Sequence, residues 1–154
     1  MKAEYINPFL TSLIDVLKTM GQVELSPGKP QRKDNSKACG DVSGVIGMVG
    51  PQVKGSLAIT FEKSLVLKTF SNMLGEEVSE IDDQVTDMVG EITNMVCGGA
   101  KRLLGEQGYD FDLATPTVVS GDGHSIHHKV DGAKLLMPFE AVSGKAYIEI
   151  CFDK

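Results

Sequence analysis

Two carboxylates and a carboxamide recur at regular spacing in one amphipathic segment of the chain. Asp87, Glu91 and Asn94 occupy positions i, i+4 and i+7 there, and Pro116 follows in a predicted strand. A carboxylate accepts hydrogen bonds, whereas a carboxamide both donates and accepts them. In a helix the three side chains lie in a row on one face, where they can contact another molecule.

The apolar residues of the same segment predict which face of that helix is buried. At about 100° per residue, one stripe falls within about 60° of Val85, and it consists of Val85, Met88, Val89, Ile92, Val96, Gly99 and Leu103. Asp87, Glu91 and Asn94 lie about 180–240° from Val85 and therefore project away from the core.

Gly90 and Gly98 flank the same outer face. Each glycine destabilises a helix interior by about 1 kcal/mol relative to alanine, so a compensating role is expected. We interpret them as clearance that lets another surface approach the helix. A solvated helix face would carry the same three polar residue types. The like charges of Asp87 and Glu91 at i, i+4, which are mildly destabilising, argue against that simpler interpretation.

Length and composition set broad limits on the class of protein. The chain has 154 residues, of which 42% are hydrophobic and 23% charged, which predicts one globular domain over residues 1–154. No apolar run approaches the roughly 18 residues of a membrane span, and Met1–Gly21 lacks a secretory pattern, so we expect a cytoplasmic protein without membrane contact. The net charge of −6 argues against nucleic acid as a partner. Three cysteines without C-x-x-C spacing are consistent with a cytoplasmic location. Cys97 lies beside the buried stripe, so its thiol is expected to be inert.

The order of predicted elements indicates an α+β fold. Helices are predicted at Phe9–Met20, Lys63–Leu74 and Asp83–Leu104, with Asn7 as the first N-cap and Ser79 with Asp82 as a capping box. Strands are predicted at Asp41–Val49, Val53–Phe61, Thr115–Ser120, Lys134–Val142 and Lys145–Phe152, and a polar loop at Ser26–Lys37. The alternation in Val53–Phe61 predicts one buried face. This grouping favours helices packed on a largely antiparallel sheet.

The stretch Phe61–Leu104, FEKSLVLKTFSNMLGEEVSEIDDQVTDMVGEITNMVCGGAKRLL, resembles the core of the CheC/CheX/FliY family of chemotaxis phosphatases. Its D-x-x-x-E-x-x-N set, followed by Pro116, matches the family signature. The similarity extends to INPF at Ile6–Phe9, TPTVVSGDGH at Thr115–His124 and MPFE at Met137–Glu140. The predicted first helix lacks a Glu followed three residues later by Asn, so the chain is most similar to the single-motif CheX branch.

The resemblance implies hydrolysis of the aspartyl phosphate on a CheY-like response regulator. In such a reaction Asn94 would orient the attacking water, and Glu91 would pair with the regulator's active-site lysine. Asp87 would contact the partner or position the helix, and Pro116 would shape the strand start beside it. The resemblance also implies a homodimer that joins sheet edges. It implies no cofactor of the chain's own, with Mg²⁺ supplied by the regulator.

Two other functions remain open at this point. The same fold could act as a non-catalytic adaptor that binds a response regulator, although the intact Glu91 and Asn94 favour hydrolysis. The H-x-x-H-H cluster of His124, His127 and His128 raises the possibility of a metal-dependent enzyme. A closed zinc site requires four ligands. In addition, His127 and His128 would point to opposite faces of an extended segment. We therefore expect a loop or strand-end role for the histidines and no metal site.

Overall fold

Within the described residues, eight strands form an antiparallel sheet, which is the framework of the protein. The computed structural model describes residues 3–51, 54–121, 123–128 and 132–152. The strands are β1 (Ser26–Pro27), β2 (Gln31–Lys33), β3 (Val42–Val49), β4 (Lys54–Phe61), β5 (Asp112–Leu113), β6 (Thr117–Ser120), β7 (Lys134–Ala141) and β8 (Gly144–Phe152). Their order is β1-β7-β8-β4-β3-β5, with β2 also paired to β7 and β6 also paired to β3. The predicted α+β class is confirmed.

The short strands were the least predictable from the sequence. Ser26–Lys37, predicted to be a polar loop, carries β1 and β2, both of which pair with β7. Strands of two or three residues are too short to show an alternating pattern, which is also why β5 is unexpected. The strand predicted from Thr115 begins only at Thr117, after Pro116, which lacks the N–H that pairing needs. Val53 lies outside the described residues.

In the described part of the chain, three helices complete the fold, namely α1 (Ala3–Gly21), α2 (Lys63–Leu74) and α3 (Asp83–Glu106). Helix α2 has the predicted bounds, and it ends at Gly75, whose φ of 72° is the left-handed conformation favoured at a helix C-terminus. The capping box predicted before α3 is wrong. The Asp82 side chain caps α3 instead, by accepting a hydrogen bond of 3.1 Å from the Val85 N–H.

Helix α1 begins at Ala3, six residues before the predicted start at Phe9, so Asn7 lies inside the helix and is not its N-cap. The reason is packing ahead of Pro8. The Tyr5 ring meets the rings of Tyr109 and Phe152 edge-on, with centroids 4.7 and 5.9 Å away, and Ile6 is buried. These contacts stabilise the additional helical residues although Pro8 removes one helical hydrogen bond.

The two faces of the sheet are covered differently. The helices pack on one face, and together they bury a cluster of apolar side chains that includes Leu57 and Ile59 of β4. On the opposite face of β4, Ser56, Ala58 and Thr60 are also buried, so the prediction that this strand buries only one face is wrong. Segments 31–38 and 123–128 cover that second face. They are joined to each other by backbone hydrogen bonds of 2.9 Å (Ala38 N to His124 O) and 2.7 Å (Ile126 N to Ser36 O).

Candidate functional site

Helix α3 buries one face and presents the other to solvent. Its buried residues are Val85, Val89, Ile92, Thr93, Val96, Cys97, Ala100 and Leu104. This stripe confirms most of the predicted one but is wider, because α3 packs against both α1 and strand β3. Met88, Gly99 and Leu103, predicted to be buried, are only partly so, and Leu104 is buried instead.

The three predicted site residues stand on the exposed face of α3. Asp87, Glu91 and Asn94 are all exposed. Among the described residues, none of their side chains forms a hydrogen bond or an ion pair. The carboxylates and the carboxamide therefore keep their full hydrogen-bonding capacity for another molecule.

A surface groove runs beside these side chains. Asp87, Glu91 and Asn94 line it from α3, together with Gly90 and, one turn towards the N-terminus, Asp83 and Thr86. The opposite wall is built by Thr115, Pro116, Val118 and Ser120, which belong to β6 and the residues before it. The structure thus brings Pro116 to the same groove as the helical residues. The sequence analysis did not identify Asp83 as a groove residue, although Asp83 lies four residues, about one helical turn, before Asp87.

The two glycines predicted to give clearance differ in their surroundings. A Cβ added at Gly98 would meet no atom within 4 Å, so this position is open on the outer face. A Cβ added at Gly90 would stand 3.4 Å from the Val118 Cγ2 of β6. That distance is an ordinary van der Waals contact, so Gly90 lies packed beside β6 in addition to lining the groove.

The histidine cluster lies on the other face of the sheet, away from the groove. His124 Nδ1 is 2.8 Å from the Gly121 carbonyl, and its Nε2 is 2.7 Å from Ser43 Oγ. A carbonyl only accepts, so Nδ1 donates to Gly121. His127 is exposed, whereas the His128 side chain is buried. Within the described ranges, no three His, Cys, Asp or Glu residues are grouped so that they could hold a metal ion.

His128 belongs to a buried polar network that the sequence does not reveal. Its Nε2 donates to Glu149 Oε1 at 2.9 Å, and its Nδ1 lies 2.7 Å from Ser56 Oγ. The other carboxylate oxygen of Glu149 accepts from Lys33 Nζ at 2.6 Å, and the Lys33 and Glu149 side chains are only 5% and 2% exposed. Burial raises the pKa of Glu149, but the hydrogen bonds from His128 and Lys33 and the positive charge of Lys33 hold it below its ordinary value of 4.5. The network therefore fixes β2, β4, β8 and the histidine segment to one another.

The cysteines offer no reactive nucleophile at the groove. Cys97 is buried on α3, and burial raises the pKa of its thiol to about 12, which agrees with the prediction that it is inert. Cys39 is exposed, and desolvation also raises its pKa. Cys151 is buried in β8.

No helix in the described part of the chain is both long and apolar enough to span a bilayer.

Comparison with known proteins gives a consistent result. The family model "Chemotaxis phosphatase CheX" matches residues 42–140. The CheY-P phosphatase CheX of Thermotoga maritima is 30% identical over 144 residues, which cover 93% of this chain and 91% of that protein.

Solved structures are similar along the whole chain. A CheC-like superfamily protein from Shewanella sp. PV-4 is 61% identical, with a TM-score of 0.93 and 100% of both chains covered. The CheX–CheY–BeF3–Mg²⁺ complex from Borrelia burgdorferi contains a chain that is 28% identical, with a TM-score of 0.81, over 99% of this chain and 100% of that one.

Proposed function

The chain belongs to the CheX family of chemotaxis phosphatases, and on that premise we propose that it hydrolyses the aspartyl phosphate of a CheY-like response regulator at the α3 groove. The observation that carries the proposal is the exposed row of Asp87, Glu91 and Asn94, which has no partner among the described residues and stands on a helix that packing holds in place. The Borrelia burgdorferi complex supports a CheY-like protein as the partner, because it pairs a related chain with CheY.

Asn94 is the proposed catalytic group. An acyl phosphate is already reactive, so catalysis consists mainly of placing a water in line with the phosphorus atom. The Asn94 carboxamide can accept a hydrogen bond from that water and donate another, which orients it. The water oxygen then bonds to phosphorus while the bond from phosphorus to the regulator's aspartate oxygen breaks. Inorganic phosphate and a free aspartate carboxylate are the products.

Glu91 is the proposed docking residue. Its exposed carboxylate lies one helical turn before Asn94, where it can accept a charge-assisted hydrogen bond from the regulator's active-site lysine. This contact would fix the position at which Asn94 enters the regulator's site. The absence of a partner for Glu91 within the described structure supports this assignment, since the carboxylate needs no rearrangement to bind.

The remaining motif residues have supporting roles in the proposal. Asp87 contacts the regulator or helps to position α3. Gly90 and Gly98 leave room for the regulator's surface, and the open surroundings of Gly98 support this. Pro116 shapes the wall of the groove just before β6.

The chain needs no metal of its own in this proposal. Mg²⁺ is held by the regulator, and the presence of Mg²⁺ and BeF3 with CheY in the Borrelia burgdorferi complex supports that assignment. A single CheX-like domain over residues 1–154 and a homodimer joined at sheet edges remain predictions.

Phosphate release from a panel of phosphorylated CheY-like regulators tests the function directly. We expect the protein to accelerate release well above the spontaneous rate for at least one regulator. Binding of the BeF3-activated regulator without any acceleration would identify the alternative, a non-catalytic adaptor. Failure to bind or to hydrolyse any member of the panel would refute both.

A further inference from the structure

Helix α3 contacts the β3–β6 strand pair at two glycines. Gly44 of β3 faces Thr93 of α3, and Gly90 of α3 faces Val118 of β6. Gly44 of β3 and Val118 of β6 are paired across the sheet. A Cβ added at Gly44 would stand 3.0 Å from Thr93 Cβ and closer still to Thr93 Oγ1. In the second contact the glycine belongs to the helix and the larger side chain to the sheet. A Cβ added at Gly90 would stand 3.4 Å from Val118 Cγ2.

The contact is therefore reciprocal. The glycine of the strand pair receives the threonine of the helix, and the glycine of the helix faces the valine of the strand pair. Gly90 and Thr93 are three residues apart and so lie on the same side of α3. Thr93 is fully buried, and its Oγ1 donates to the Val89 carbonyl at 2.7 Å, which fixes its rotamer. Sliding or rotating the helix would bring each bulky side chain against backbone.

Each of the two helical residues directly precedes a residue of the proposed site. Gly90 is followed by Glu91, and Thr93 is followed by Asn94. Val118, in turn, lines the same groove as Glu91 and Asn94. The contact between α3 and the β3–β6 pair thus determines where the two functional side chains stand relative to the opposite wall of the groove.

We propose that Gly44, Thr93, Gly90 and Val118 form a packing lock that positions Asn94 and Glu91 against the β6 wall of the groove. These four are positioning residues, since none of them is required to touch the phosphoryl group. The proposal deepens the phosphatase function and rests on it. It requires that the regulator contact both α3 and the β6 wall, so that their relative placement controls the rate.

The test compares Gly44→Ala with Gly44→Ala/Thr93→Ala. The single variant adds a methyl group against Thr93 Oγ1, and the double variant removes that oxygen again. We expect Gly44→Ala to lower kcat by about 10–100-fold, the size of effect that a displacement of about 1 Å can produce, with a smaller change in KM. The double variant removes Oγ1 and Cγ2 but keeps the Thr93 Cβ 3.0 Å from the added methyl group, so it should recover part of kcat. Gly105→Ala is the matched control, because it adds a methyl group to the same helix where no atom lies within 4 Å, and its kcat should be unchanged.

A second readout does not depend on activity. In the free protein, the Asn94 side-chain amide resonances should shift in Gly44→Ala and return towards their wild-type positions in the double variant. If Gly44→Ala does not fold, Thr93→Val carries the same test, because it places a methyl group where Thr93 Oγ1 now faces Gly44, and the Asn94 resonances should again shift.

A folded Gly44→Ala protein with wild-type kcat and unshifted Asn94 resonances would overturn the lock. A loss of kcat that Thr93→Ala does not restore would also overturn it, because the effect would then not pass through this contact. If the wild-type protein hydrolyses no phosphorylated regulator, the proposed function fails, while the resonances still decide whether the lock positions Asn94.

Discussion

Polar side chains are buried and paired on one side of the sheet, and they are exposed on the helix that covers the other side. On the far side from the helices, Lys33, His128 and Glu149 are buried and their hydrogen bonds are made within the protein. On the exposed face of α3, Glu91 and Asn94 have no partner among the described residues.

The difference separates a structural role from a functional one. A buried charge is tolerated only when it is paired, and removing one partner leaves the other uncompensated. An exposed polar side chain without a partner contributes little to stability and is free to bind another molecule. We therefore expect substitutions on the far side to change stability, and substitutions on α3 to change the reaction.

The largest effect on stability is expected for Glu149→Gln. It keeps the side-chain volume but leaves Lys33 without its carboxylate partner, so the free energy of unfolding should fall by about 3–5 kcal/mol. Glu80→Gln is the matched control, because it removes an exposed ion pair with Lys63 (3.3 Å) and should cost less than about 1 kcal/mol. Urea denaturation measures both. Equal stability of the two variants would show that the buried network is not a structural element.

Glu91→Gln should weaken docking while leaving the fold intact. A charge-assisted hydrogen bond contributes about 1.5–3 kcal/mol, so KM for the phosphorylated regulator should rise by about 10–100-fold. Steady-state phosphate release and the affinity for the BeF3-activated regulator check this together with the unfolding midpoint. An unchanged KM would remove Glu91 from the docking surface.

The stabilisation that Glu149 provides should depend on acid pH. Its pKa is held below the ordinary value of 4.5 in the folded protein, so the folded state binds fewer protons on this group than the unfolded chain does. The stabilisation is therefore complete above 4.5 and is lost as the pH falls through the lower, folded-state pKa. Comparing urea midpoints of the wild type and Glu149→Gln from about pH 7 to about pH 3 should show their difference shrinking in acid. A difference that stays constant would contradict the assignment.

His127→Ala should have the smallest effect. The side chain is exposed and lies on the far side of the sheet from the groove, so stability should change by less than about 0.5 kcal/mol and kcat should not change. The assay is phosphate release by EDTA-treated protein supplied with fresh Mg²⁺. A loss of activity in this variant, together with metal in the purified chain, would revive the metal-dependent alternative.

Local periodicity made much of α3 and its exposed residues predictable. Apolar spacing identified the buried stripe, and it therefore also identified Asp87, Glu91 and Asn94 as exposed. The same reasoning gave α2 its observed bounds. These features depend on residues a few positions apart, which is the range over which a helix repeats.

The network on the far side depends on residues that are distant in sequence. Lys33 and Glu149 are 116 residues apart, and Ser56 and His128 are 72 apart. In β8, Glu149 alternates with apolar core residues, and such a position is expected to face solvent. Nothing in the sequence of the strand indicates that segments 31–38 and 123–128 cover it. Only the three-dimensional arrangement shows why His124 and His128 stand in a polar segment.

The single-turnover rate of Asn94→Ala tests the central claim most directly. Saturating amounts of the variant are mixed with phosphorylated regulator, and its affinity for the BeF3-activated regulator is measured in parallel. In the proposal the carboxamide orients the water and does not anchor the complex, so dephosphorylation should slow by about 100–1,000-fold while the affinity stays close to that of the wild type. A wild-type rate in Asn94→Ala would show that another group positions the water and would contradict the account.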